Sequence, residues 1–210
     1  MQNALYQYIL LEKTAVLRVD KVKAMQAFVA AFATGEYLSL SEIRVLMQAI
    51  EIRQPVFEKL IYPVLEQGVE TRSIDAIKIM IELMQHVYTY QSRRKEWKYD
   101  LADLLQIGLL INPNDYDLLK WKYESAVRFL AFSIHEVPWC VLYGNNAASQ
   151  SECQDLLEYT DEVEQLSKSL SKDDTAFLAE CRYYYQSFAS YLAAQAVYSS
   201  FEAYLNQHPR

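Results

Sequence analysis

Glu82 and His86 stand four residues apart in a segment with helical apolar spacing, which places both on one face of a helix. A carboxylate beside an imidazole orients it for acid–base work or for metal ligation. A di-iron bundle needs Glu-x-x-His motifs from two helices, and a zinc site of the His-Glu-x-x-His type needs a second histidine on the same turn; the sequence has neither. A surface i,i+4 contact accounts for the pair without chemistry. His135, Glu136 and Cys140 flank Pro138 and Trp139 and supply the ingredients of a nucleophilic pair, with no third group to orient them. Cys153 and Cys181 fall on apolar stripes and read as small core hydrophobes. Glu82, His86, His135 and Cys140 are thus the candidates for catalysis, and neither a metal nor a cofactor is expected.

Two charge clusters point to binding instead. Arg93, Arg94, Lys95 and Lys98 interleave with Trp97 and Tyr99, a mixture that suits single-stranded nucleic acid. The first three also follow a helix ending near residue 92, where cations meet the negative end of its dipole. Residues 150–180 hold nine acids against two bases, a net of −7 that equals the formal charge of the whole chain. Within it Asp155, Glu158 and Glu162 step by three and four along one helical ridge, and Asp161 and Glu164 widen it. Like charges at that spacing cost a helix a few tenths of a kcal/mol each, roughly, which a solvated face tolerates. The functional reading is a docking face for a basic protein, which would speed association and mimic the charge of a nucleic acid. A net charge of −7 argues against general binding of DNA or RNA by the chain itself.

The elements that must carry these groups are helical throughout. Apolar residues recur at three and four, as in Ile43, Met47 and Ile50, in Phe57, Leu60, Ile61, Val64 and Leu65, and in Ile74, Ile77, Met80, Met84 and Val87. The spacing predicts helices near 3–17, 20–34, 40–53, 55–67, 73–92, 96–111, 114–133, 150–169 and 174–205. Ser39 with Glu42 and Ser149 with Glu152 form capping-box patterns. Pro55, Pro113 and Pro138 sit where a helix can begin, whereas Pro63 lies inside an apolar stripe and predicts a kink or split. Adjacent residues on a helix point about 100° apart, so Tyr183, Tyr184 and Tyr185 cannot all face one core. With Tyr191 and Tyr198 they are expected to fill helix seams.

Composition excludes several classes. The 210 residues are 52% hydrophobic and 22% charged, which rules out a disordered chain. Four glycines and five prolines are too few for a Gly-rich phosphate cradle or a turn-rich β-sandwich. Tyr183 to Phe201 is a stretch of 19 residues without charge, but its five tyrosines, four serines and two glutamines suit a buried helix better than a membrane span. Three cysteines without short spacing, and an N-terminus without a basic region or cleavage site, fit a cytoplasmic chain with reduced thiols.

The expected fold is therefore all-α: an antiparallel helical array of about nine helices, either an irregular α-solenoid or a layered bundle, in one domain spanning 1–210 with a hinge near 135–150. The rhythm resembles tetratricopeptide and HEAT-type arrays in architecture alone, because Tyr123 and His135 sit where a tetratricopeptide repeat has glycine and alanine. The expected function is a non-catalytic protein-binding module. Its most concrete form is an immunity-type inhibitor that sets Asp155, Glu158, Asp161, Glu162 and Glu164 against a basic, nuclease-like bacterial toxin. The alternatives are a helical adaptor or chaperone-like scaffold holding a peptide in a groove, and an enzyme built on the four candidates above. The expected partner is a basic protein, with neither membrane nor nucleic acid.

Overall fold

The structure, a computed structural model, describes residues 2–32, 37–137 and 149–209. The described residues are helical without a strand. They run α1 (Gln2–Thr14), α2 (Arg18–Ala31), α3 (Leu40–Ala49), a short α4 (Gln54–Val56), a π turn (Phe57–Ile61), α5 (Tyr62–Glu70), α6 (Ile74–Glu82), α7 (Met84–Arg94), α8 (Leu101–Ile111), α9 (Tyr116–Glu136), α10 (Gln150–Ser169), α11 (Thr175–Ala193) and α12 (Phe201–Gln207). Contacts cluster into two compact units, Met1–Asp115 and Tyr116–Arg210. The expected hinge at 135–150 lies mostly outside the described residues, as do Pro138, Trp139 and Cys140.

The segments outnumber the nine expected because three expected rods are interrupted. In the first, Pro63 has no N–H to give the Lys59 carbonyl, and the preceding turn widens until the Tyr62 N–H bonds the Phe57 carbonyl five residues back. The second breaks at Leu83, whose φ of −99° and ψ of 19° end α6 and start α7. The third stops at Ala193 and restarts at Phe201, where the Ser200 side chain accepts the Ala203 N–H at 3.1 Å. Breaking there lets Phe201 fold back against Phe188 and become buried.

In the N-terminal unit α6 is the central element. Its sequence is apolar nearly all round, and Ala76, Ile77, Ile79, Met80 and Ile81 are all buried. It packs against α3, α5, α7 and α8. Lys78, its one cation, bonds Asp115 at 3.2 Å. The hairpin of α1 and α2 is closed by Tyr8 stacked on Phe28, with ring centres 4.6 Å apart. Few glycines are on hand for helix ends, so Arg72, Lys95 and Ser171 take left-handed conformations instead (φ 59°, 55° and 54°).

The C-terminal unit packs α9, α10 and α11 around Leu130, Cys153, Leu156, Val163, Cys181 and Tyr185, with α12 against α11. Its closest pairing is α10 with α11. Gln150 reaches Ala189 and Glu164 reaches Arg182, so residue numbers rise along one helix as they fall along the other, and the pair is antiparallel.

Candidate functional site

α10 sets out its residues at about 100° intervals. Cys153, Leu156, Thr160, Val163 and Ser167 are buried and form its inner stripe. One flank carries Tyr159, which meets Phe129 of α9 edge-on at 5.5 Å. The opposite flank carries Asp161 and Glu164, which face α11. Asp155, Glu158 and Glu162 lie on the outward arc and are exposed.

The five predicted acids therefore divide. Arg182 of α11 donates to Asp161 through Nε and Nη2, at 3.1 and 2.7 Å, and to Glu164 through Nη2 at 2.5 Å. Lys168 adds a second cation to Glu164 at 2.8 Å. Lys168 and then Arg182 hold the Glu164 carboxyl below its usual range. On the outward arc Glu158 accepts only from the Gln154 amide at 3.2 Å, while Asp155 and Glu162 have no hydrogen-bond or ion-pair partner among the described residues. Three other acids of this stretch serve local structure. Glu152 completes the Ser149 capping box, Asp173 accepts from Thr175, and Asp174 accepts from Ser167 and Tyr123. The role of Arg182 was beyond sequence reasoning, because its targets lie 18 and 21 residues away and only the hairpin brings them together.

Among the described residues the catalytic candidates are not brought together. Glu82 and His86 do not share a helical face, because the break at Leu83 redirects the chain between them. Glu82 bonds Arg44 at 2.5 Å, and His86 stacks on Phe57 at 5.2 Å. The His86 Nδ1 meets the Gln54 Oε1 at 2.8 Å, while the Gln54 Nε2 donates to Glu58 and to the His86 carbonyl. That pattern makes Nδ1 a protonated nitrogen that donates to Gln54. His135 is exposed near the end of α9, and Cys140 is outside the described residues. Burial pushes the thiols of Cys153 and Cys181 up to about 11 and about 12, so both stay protonated at neutral pH. No group of three or more His, Cys, Asp or Glu side chains suited to a metal occurs among the described residues.

Three of the four cations of the basic cluster are matched by acids of the same unit, and Lys95 is exposed. Arg93 bonds Glu58 at 3.0 Å, Arg94 bonds Glu96 at 3.4 Å and the Tyr90 hydroxyl at 3.0 Å, and Lys98 bonds Glu66 and Glu70 at 3.0 and 2.7 Å. Trp97, within the helix expected near 96–111, lies before α8 and is 65% exposed. The tyrosines fill seams: Tyr185 is buried, Tyr183 donates to the His208 carbonyl, and Tyr191 and Tyr198 pack on α12.

Sequence reasoning missed a cleft of about 490 Å³ in the N-terminal unit, where Glu12, Glu51, Arg53 and His86 converge. Arg53 donates to the Glu12 Oε1 through both Nε and Nη2. The Glu12 Oε2 is buried without a partner, as is the hydroxyl of Tyr8 one turn earlier on α1. Arg53 precedes the helix-starting Pro55, but nothing local announces a carboxylate 41 residues upstream.

Burial lowers the His86 pKa from the usual 6.5, against an opposing pull from Glu51. The unfolded chain takes up this proton at a higher pH than the folded chain. The contribution is complete above pH 6.5 and is lost as pH falls through the folded value. The urea midpoint of the wild type is therefore expected to fall further between pH 7 and pH 5 than that of His86→Gln. Equal falls would show that His86 is not desolvated.

Compared with protein-family models, curated proteins and solved structures, the chain matches none. Among the described residues, no helix is long and apolar enough to cross a membrane.

Proposed function

We propose that this chain is a non-catalytic protein-binding module, an antiparallel helical array whose α10 ridge docks on a cationic protein. In its most concrete form it is an immunity-type inhibitor that covers the basic active site of a nuclease-like bacterial toxin. One observation carries the reading: Asp155, Glu158 and Glu162 stand together on the outward arc of α10, opposite its buried stripe, with no cation of the described residues bound to them. Three uncompensated carboxylates on one rigid ridge make a field that steers a basic partner and fixes its register. Asp161 and Glu164 take a different part. Held by Arg182, they tie α10 to α11.

The test is the double substitution Glu158→Lys with Glu162→Lys, measured against the cationic protein that the wild-type chain retains from its own host. The association rate is expected to drop at least about 10-fold at low ionic strength, and the difference to shrink as salt rises. Unchanged association would refute the docking face. Binding that depends on the ridge but leaves the partner's nuclease activity intact would retain the docking face and remove the inhibitor reading. Full activity of some enzymatic function after substitution of both His86 and His135 would dispose of catalysis by the candidates named above.

A further inference from the structure

We infer that the turn between α1 and α2, with the outward face of α1 that leads into it, docks on the surface of a bilayer rich in anionic lipid. Tyr6, Leu10, Leu11, Val16, Leu17 and Val19 are large apolar side chains left exposed within a short stretch of chain, and Val16 at the turn is 94% exposed. The core takes the other side of α1, where Leu5, Tyr8 and Ile9 are buried and Tyr8 stacks on Phe28 of α2. The outward arc of α1 is free of acids: its exposed residues are apolar or uncharged apart from Lys13.

Cations collar the same turn. Residues 13–23 hold Lys13, Arg18, Lys21 and Lys23 against Asp20, a net of +3 in a chain whose formal charge is −7. None of the four bonds an acid among the described residues. The acid just before them, Glu12, is turned inward and held by Arg53, on which Glu51 also acts. Lysine and arginine gain from the negative potential of an anionic leaflet, and their aliphatic stems lie along apolar neighbours. Aliphatic side chains on a convex turn enter the boundary between headgroups and acyl chains without a groove of matching shape. A second copy of the chain meeting this patch by two-fold symmetry would bring the same four cations together. An acidic soluble surface would match the cations and leave Leu10, Val16 and Leu17 no apolar medium to enter. Surface docking needs no spanning helix, so it departs only from the expectation of no membrane partner.

Flotation of the full chain with vesicles tests this. The vesicles are phosphatidylcholine alone, or an equal mixture of phosphatidylcholine and phosphatidylserine. The chain is expected to float with the mixed vesicles at low ionic strength and to bind phosphatidylcholine alone at least about 10-fold more weakly. Leu10→Gln with Val16→Ser, at two exposed positions that leave the core intact, is expected to weaken binding to the mixed vesicles by at least about 10-fold. Lys13→Gln with Lys23→Gln, also at exposed positions, is expected to weaken it by at least about 5-fold. A chain that stays in the soluble fraction, or floats equally with both kinds of vesicle, would overturn the site. Loss in the lysine pair without loss in the apolar pair would assign the turn to an acidic protein surface. A vesicle-free dimer dispersed by Leu10→Gln with Val16→Ser would assign it to a second copy. Either result would overturn the bilayer reading, as would indifference to the lysine pair.

Discussion

Gly68→Ala is expected to destabilise the N-terminal unit by about 1–3 kcal/mol, the usual range for forcing an extra carbon into a packed contact. Helix propensity argues the other way, since alanine in place of a glycine inside a helix gains roughly 1 kcal/mol. Geometry decides between them. A Cβ built on Gly68 would lie 2.2 Å from the Cβ of Ala76, well inside contact distance, and Ala76 is itself buried on the central helix α6. That atom is fixed to its backbone and has no rotamer to move through. The α5–α6 pair would have to separate, and the Gly68 carbonyl that accepts the Ser73 N–H at 2.8 Å would move with it. The measurement is the urea midpoint of Gly68→Ala, alone and combined with Ala76→Gly. The second change removes the opposing carbon and is expected to restore part of the loss. A single variant as stable as the wild type would mean that the two helices do not pack this closely.

The contrast between Gly68 and Ser39 shows what the sequence discloses. Ser39 and Glu42 announce a helix start within four residues, and the structure has the box complete, as it has for Ser149 and Glu152. Capping is local chemistry, and so is apolar periodicity, so the all-helical class was legible. The breaks were less so. Pro63 signals a disturbance without saying that it becomes a π turn, and Leu83 signals nothing, since its side chain fits either a continuous helix or a break. The candidate ridge shows the same division. The spacing of Asp155, Glu158 and Glu162 suffices to place three carboxylates on one arc. Whether Asp161 and Glu164 join them depends on Arg182, which arrives only through the α10–α11 hairpin. The Glu12–Arg53 pair likewise joins residues 41 apart, so the cleft could not be read from any local window.

Gln91→Met is expected to cost about 2–4 kcal/mol, although methionine nearly matches glutamine in length and shape, because it strands several backbone groups at once. Gln91 is buried at 1% exposure in the last turns of α7. Its Oε1 accepts the N–H groups of Lys98 and Tyr99, at 2.6 and 2.9 Å, and its Nε2 donates to the Tyr99 carbonyl at 2.8 Å. One side chain thus does for residues 98 and 99 what a neighbouring strand would do. This explains why the helix expected from 96 begins at Leu101, with Asp100 and Asp103 closing its own capping box. The same anchorage holds Lys98 where its ammonium reaches Glu66 and Glu70 on α5. Gln91→Glu keeps both acceptor bonds but sets a buried carboxylate oxygen against the Tyr99 carbonyl, so it is expected to destabilise as well. Hydrogen exchange at Lys98 and Tyr99 is the local readout: it is expected to rise sharply in Gln91→Met and by less in Gln91→Glu, which still accepts from both N–H groups. A loss below about 1 kcal/mol in Gln91→Met with unchanged exchange would show that the segment is held by something other than this amide.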